Sequence, residues 1–493
     1  MKNKGFLGRV FIILFIMSFM FTMTGSAAST SKALSTNYTV VNMEDEPGAV
    51  SADVTAEYYK SDGSVWAADP DKTNFTVDGD FGQKVIAQYF DSTMDSGQGS
   101  AVLSSSQPLG AVVTIQARGQ VPTNGAYTGY SEGSEDFYVP LVIRKRATVN
   151  GLANTQIVIQ NTTDAQLGAT VHFIASPGSG YSNWTTPSLN IPAFSSYYYD
   201  IEEESSANLP DGWYGSASVS SDVSGKDIAV VFNVFTGPNG LQTVNAFPAE
   251  KSSGTWAIPQ FASRLPNGFS TSVNIQNISG GAFAAGDIDV NCIPAAGYTG
   301  DVFITNSGAV PNNATFGVNP VTDMSITGNW QGACTITAPG NIVAIATLRT
   351  VGMDNIAAYE AFPSTSSDTR VIVPLMAKRL ANGFATVAVI QNLDPDNVAT
   401  VRLTYTRAPG FTVGDPVYVI NNVTIPAGGN VIQNLRLSSE PVGLTMPDGW
   451  QGTLLVEPQP STTAYPLVAY VALTNVYTSA GDTYMAHDAF NLP

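Results

Sequence analysis

The chain has 493 residues, with 39 Asp and Glu against 21 Lys and Arg, 12% charged residues and 44% hydrophobic ones. It is too apolar to remain disordered and long enough for three to four domains at ~150 residues each. Its net charge of −18 excludes nucleic acid or an anionic membrane surface as partner, since both need a cationic face.

Lys2, Lys4 and Arg9 precede an apolar run from Val10 to Thr24, and Gly25-Ser26-Ala27-Ala28 follows. This order of basic, apolar and small residues predicts a cleaved secretion signal over 1–28. The run is shorter than the ~20 residues a membrane-spanning helix needs. A prepilin signal fits less well: Arg9 interrupts the stem, and Val10 stands where such a chain carries Glu. No second apolar segment of spanning length occurs. Removal of three bases and no acids leaves 39 acidic against 18 basic residues, or −21. The mature chain is expected outside the cell, secreted or at its surface.

The remainder repeats. Ile-Gln-Asn occurs at 159–161, 275–277 and 390–392, Trp-x-Gly at 213–215, 330–332 and 450–452, and Ala-Phe at 246–247, 361–362 and 489–490. Val-Pro or Ile-Pro opens each copy, at Pro140, Pro259 and Pro374. A fainter first copy carries Val41-Asn42 and Gly99-Ser100-Ala101. The units are therefore 29–136 (divergent), 137–253, 254–367 and 368–493. About 115 residues is the size of one β-sandwich and too long for a solenoid repeat. The fold class predicted is all-β: four tandem antiparallel sandwiches, beads on a string, each with its own core. Alternation in Ala399 to Thr406, continuous β-branched and aromatic runs such as Ile228 to Val234, and turns at Pro210-Asp211-Gly212 and Pro447-Asp448-Gly449 support this.

In the first unit, Asp69, Asp71, Asp78 and Asp80 lie within twelve residues. Their spacing is not that of an EF-hand. Oxygen-rich loops of secreted sandwiches can hold calcium, and this is the one cofactor the sequence leaves open. Gly129-Tyr130-Ser131-Glu132-Gly133 matches G-x-S-x-G, but a strand-like segment follows where a nucleophile elbow needs a helix. In the second unit Lys145 stands five residues after the opening proline, as Arg264 and Arg379 do in the third and fourth, with Lys378 beside the last. These are surface cations or repeated inter-unit or inter-subunit contacts. Tyr197-Tyr198-Tyr199 is a candidate ligand-facing aromatic patch, since successive strand residues point to opposite faces. Trp213, Trp330 and Trp450 beside their turns are read as core residues. Glu202-Glu203-Glu204 is a solvated run.

Cys292 and Cys334, the two cysteines, lie in the third unit at positions that recur as 58/101, 175/217 and 405/454. A structural disulfide on facing strands is predicted, with Cα atoms at about 4.4–6.8 Å. With no companion His or Cys, a redox or metal-binding pair is set aside. No P-loop or zinc-protease motif appears, and no enzyme is expected.

The segments VPLMAKRLANGFATVAVIQN (373–392) and LPDGWYGSASV (209–219) resemble a family of uncharacterised tandem repeats in secreted bacterial surface proteins. The resemblance covers units two to four and implies extracellular, Ig-like or adhesin-like β-sandwiches. It implies no catalytic residue.

The function expected is that of an extracellular structural protein: a self-assembling cell-surface, sheath or filament subunit, partnered by its own copies or other surface components. The alternative is a monomeric adhesin or carbohydrate-binding protein, with glycans as partners. The first unit, or the segment that opens it, is expected to meet a neighbouring subunit by adding a strand to an open sheet edge. The competing reading is a flexible leader and a unit that has drifted.

Overall fold

The computed structural model describes residues 11–17, 34–44, 49–117, 121–225, 227–326, 328–350, 354–364, 368–439, 441–478 and 481–492. Of the predicted signal over 1–28, all but 11–17 lies outside these residues, as does the leader 29–33. The fold is all-β and antiparallel. The two α-helices described, Pro70–Thr73 and Pro320–Asp323, are single turns.

Hydrogen-bonded strand pairs stay within four stretches, 11–128, 136–248, 253–363 and 370–492. Unit four shows the plan. One sheet orders its third strand (Ala399–Arg407), its glycine strand (Trp450–Pro458) and its opening strand (Arg370–Lys378) side by side. The other places the Gln-Asn strand (Phe384–Asn392) beside Leu467–Asn475, followed by an axial strand, Tyr484–Asp488. Burial alternates along Ala399–Arg407, as the period of two predicts for a strand with one face on the core. In unit three one 21-residue strand, Trp330–Thr350, passes from sheet to sheet and joins them.

The repeated Trp-x-Gly is a packing device. A Cβ at Gly99, Gly215, Gly332 or Gly452 would lie 2.0 Å from a carbonyl oxygen of the third strand, at Tyr59, Ile174, Ile293 and Thr406 respectively. Only glycine allows that approach. Trp213, Trp330 and Trp450 are at most 1% exposed, as expected of core residues. In unit one the ring against Gly99 comes from Trp66, earlier in sequence, which hides the motif.

The units are not beads on a string. Their axial strands, Asn124–Thr128, Gly240–Asn245, Ile356–Glu360 and Tyr484–Asp488, contact one another in cyclic order, the first touching the last. The four sandwiches close into a ring, and their cores merge. Ile228–Thr236 is buried on both faces because Val231 and Phe235 join the apolar core of unit one while Val230, Phe232 and Val234 face their own. That two-sided burial explains its continuous apolar sequence.

Each residue of Ile-Gln-Asn has a distinct task. The isoleucine is core. The asparagine staples its own unit: Asn161 donates to Ala165, Ile191 and Pro192, and Asn277 to Gly281 and Val310. The glutamine joins units. Gln276 donates to the carbonyl of Ala217, and Gln391 to that of Cys334, the same position one unit on. Val41 replaces glutamine in unit one, where the ring closes. It packs on Phe81, Ile372 and Leu492, an apolar contact between the first unit and the last.

Cys292 and Cys334 form a disulfide. They are directly paired neighbours on antiparallel strands of one sheet, with Cα atoms 3.9 Å apart, not residues on facing strands at the wider separation expected. Tyr58 pairs with Ala101 and Tyr405 with Leu454, but Ala217 pairs with Phe173, not Ala175. The equivalent turn glycine in unit two is Gly178, five after Phe173; counting from Gly180 displaced the alignment by two residues.

Candidate functional site

The axial strands end on Thr128, Asn245, Glu360 and Asp488, at matching places in the four units. All four residues line a cavity of about 680 Å³ at that end of the ring. Lys251, from the connection between units two and three, reaches in and places Nζ 2.5 Å from Glu360 Oε2. Asn245 closes the seam to unit one by donating to the carbonyl of Thr128 at 2.8 Å. Tyr130 donates to the Ala246 carbonyl at 2.7 Å.

Glu360 is 6% exposed and Asp488 9%. Asp488 Oδ1 has no hydrogen-bond partner. Burial pushes the Asp488 carboxyl well above the usual range, Glu360 raises it further, and Lys251 opposes both. The cavity thus places a lysine–glutamate pair, Lys251 with Glu360, beside a second carboxyl, Asp488, whose neutral form burial favours. Phe362, Phe490 and Pro363 supply apolar wall. The arrangement suits hydrogen bonding to a small polar guest.

Gly129 to Gly133 also line the cavity. No helix follows Ser131, so the segment lacks the frame of a nucleophile elbow. His172 lies elsewhere, bonded to Thr185, and His487 is buried with Nδ1 against the carbonyl of Asp488. Among the described residues no group of three His, Cys, Asp or Glu is placed to hold a metal ion. In the acidic loop of unit one, Asp69 faces Lys72 at 3.1 Å and accepts from Thr93.

The predicted contact residues are anchored within their own units. Lys145, Arg264 and Arg379 share a left-handed backbone, with φ of 43°, 51° and 44°, where the chain turns out of the opening strand. Arg264 bonds the Val321 carbonyl, Arg379 bonds Asp448 and the Arg436 carbonyl, and Lys378 bonds the carbonyls of Leu437 and Ser438. Arg144 makes the corresponding bonds in unit two, to Asp211 and to the carbonyls of Ile201 and Glu204. These cations tie the loop before the tryptophan to the end of the opening strand.

The tyrosine run is not a ligand-facing patch. Tyr199 is in the core and donates to Glu204. Tyr197 packs against that core. Tyr198 donates to the carbonyl of Gly99 at 2.7 Å and pins unit two to unit one. An outward face of a strand meets the neighbouring unit once the ring closes, so the ring that had to point outward found protein.

The sequence reading missed the joining glutamines and the axial residues. Both had a signal: a glutamine recurring between the isoleucine and asparagine of every full copy, and a polar residue (Asn245, Glu360, Asp488) always standing immediately before Ala-Phe.

No protein-family model and no curated protein matches the sequence. One solved structure, described as a tetra-tandem repeat in the extending region of a large adhesion protein, aligns over 94% of this chain and 95% of its own at 13% identity. The TM-score of that alignment is 0.10, which establishes no common fold.

Proposed function

We propose that the chain is a non-catalytic structural subunit of the cell exterior that assembles with copies of itself. Ring closure carries this reading. Tandem sandwiches that display a distant binding tip gain by extension, whereas four units closed on shared cores form a block with fixed faces. The buried disulfide and the predicted signal fit an oxidising, extracellular site. The low charge content leaves surfaces that can pack laterally through hydrogen bonds and apolar contact.

A second reading rests on the cavity. The unpartnered Asp488 oxygen and the apolar wall beside it favour a monomer that binds a small polar ligand such as a glycan.

Electron microscopy of the mature protein separates the two. Regular polymers or sheets support the structural reading. Uniform single rings that bind a glycan, and lose it on Asp488→Ala, would replace it with the second.

A further inference from the structure

Units two, three and four each supply their own opening strand: Asp136–Ile143, Ser253–Ser263 and Arg370–Lys378. Each pairs with its glycine strand, setting Val142 opposite Gly215, Phe261 opposite Gly332 and Met376 opposite Gly452. In unit one the same slot, beside Gly99–Ser105, is filled by Phe11–Met17, with Met17 opposite Gly99. These seven residues lie in the first half of the apolar run that predicts a secretion signal.

If that signal is removed, as the proposed function assumes, unit one loses a strand that every other unit has. Its own leader cannot replace it. From the start of the opening strand to the start of the Gln-Asn strand takes 14 positions in unit four (Arg370 to Phe384) and 15 in unit two (Asp136 to Gly151). Cleavage after Ala28 leaves five residues, Ser29 to Ala33, before the Gln-Asn strand at Leu34. Five residues span at most ~18 Å fully extended, too little to form the strand and turn back.

The vacated edge is unusual among sheet edges. Gly99-Ser100-Ala101-Val102-Leu103-Ser104-Ser105 has no charge and no proline. Its pairing runs through seven residues without a register shift, whereas the opening strands of the other units all carry one. In those units a short closing segment, such as Phe247–Pro248 or Phe362–Pro363, covers the far side of the opening strand; in unit one Phe11–Met17 is the outermost strand of its sheet. The edge is regular and uncharged, the properties that invite strand pairing, and among the described residues unit two engages it at the Gly99 end, where the Tyr198 hydroxyl meets the Gly99 backbone and Ser100 bonds the Phe194 carbonyl.

We propose that secretion exposes this edge and that it pairs with the same edge of a second copy, Gly99–Ser105 against Gly99–Ser105, antiparallel about Val102. Pairing an edge with itself is the two-fold solution for identical chains. A straight, proline-free strand is what the regular register accepts, and Gly99–Ser105 is itself such a strand. The edge is also free of the acidic residues that set copies of this chain against one another.

The test is sedimentation in the absence of any ligand: analytical ultracentrifugation of residues 29–493, of the same chain carrying Val102→Lys, and of the full 493-residue chain produced without export. Val102→Lys places two ammonium groups directly opposite across the two-fold, a destabilising pair. The expected result is a dimer or larger assembly for 29–493, at least a tenfold weaker association for Val102→Lys, and a monomer for the chain that keeps Phe11–Met17. Should Val102→Lys unfold the chain, the retained leader still decides. Association unaffected by both changes overturns the edge pairing and leaves self-assembly through another face. A monomeric 29–493 at all concentrations overturns both.

Discussion

Gln276 donates its side-chain amide to the carbonyl oxygen of Ala217, 3.1 Å away and one unit earlier in the chain. Gln391 repeats the bond to Cys334 at 3.4 Å. Gln160, at the same place in unit two, has neither amide atom partnered. The three residues form a matched set: Gln276→Leu is expected to lose about 1–2 kcal/mol by removing buried hydrogen bonds to the carbonyls of Ala217 and Asn313, and Gln160→Leu to be neutral or stabilising. Chemical denaturation of both variants checks this. Equal losses would contradict the assignment of glutamine to the seam.

Much of this design was legible in the sequence. Period-two strands, turn glycines and three recurring markers defined sandwiches of the observed size, and the tryptophans fell in the core as expected. The ring was not legible, because its seams are made by residues with an equally good reading inside one unit. Tyr198 looks exposed until unit one covers it. A fully apolar strand such as Ile228–Thr236 announces two-sided burial without naming the second neighbour. The cations at the end of the opening strand recur for a local reason, since Arg144, Arg264, Lys378 and Arg379 bond the loop before the tryptophan of their own unit.

Asp482 sits on the axis with no exposed surface. Its carboxyl accepts from the backbone of Leu241 in unit two at 2.9 Å and of Ile356 in unit three at 3.3 Å, while its carbonyl accepts from Asn124 of unit one at 2.6 Å. Asp482→Ala leaves two backbone donors from other units without partners, beside that of Tyr484. A loss of about 3 kcal/mol or more is expected, read as a fall in the melting midpoint. A change below 1 kcal/mol would show that the axis contributes little.

Burial holds the His487 imidazole down to about 4. The unfolded chain takes up that proton near 6.5, the folded chain only near 4, so His487 withdraws stability as pH falls through this window, by roughly 3 kcal/mol in full. Asp482 and Asp488, both raised by burial, act in the opposite sense: they add stability as pH falls through their folded values. The net profile mixes the two, so the test is a difference. Relative to His487→Asn, the parent chain should weaken by about 3 kcal/mol between pH 7 and pH 4. A difference independent of pH would contradict the buried, neutral imidazole.

The Cys292–Cys334 bridge closes a loop with a sequence separation of 42, for which chain entropy gives roughly 4 kcal/mol as an upper value. The double replacement by alanine should lower stability by about 2–4 kcal/mol without opening the ring, since the bridge lies within one sheet. Denaturation with and without reductant, followed by gel filtration, checks both parts. A reduced chain that expands would mean that the bridge holds units together.

Small-angle X-ray scattering from the mature chain, diluted until monomeric, tests ring closure most directly. A compact body of 465 residues has a radius of gyration of roughly 23 Å, and the closed ring predicts a value close to this with a short maximum dimension. Four sandwiches in a line would give about twice that radius and a rod-like profile, and that result would contradict the ring.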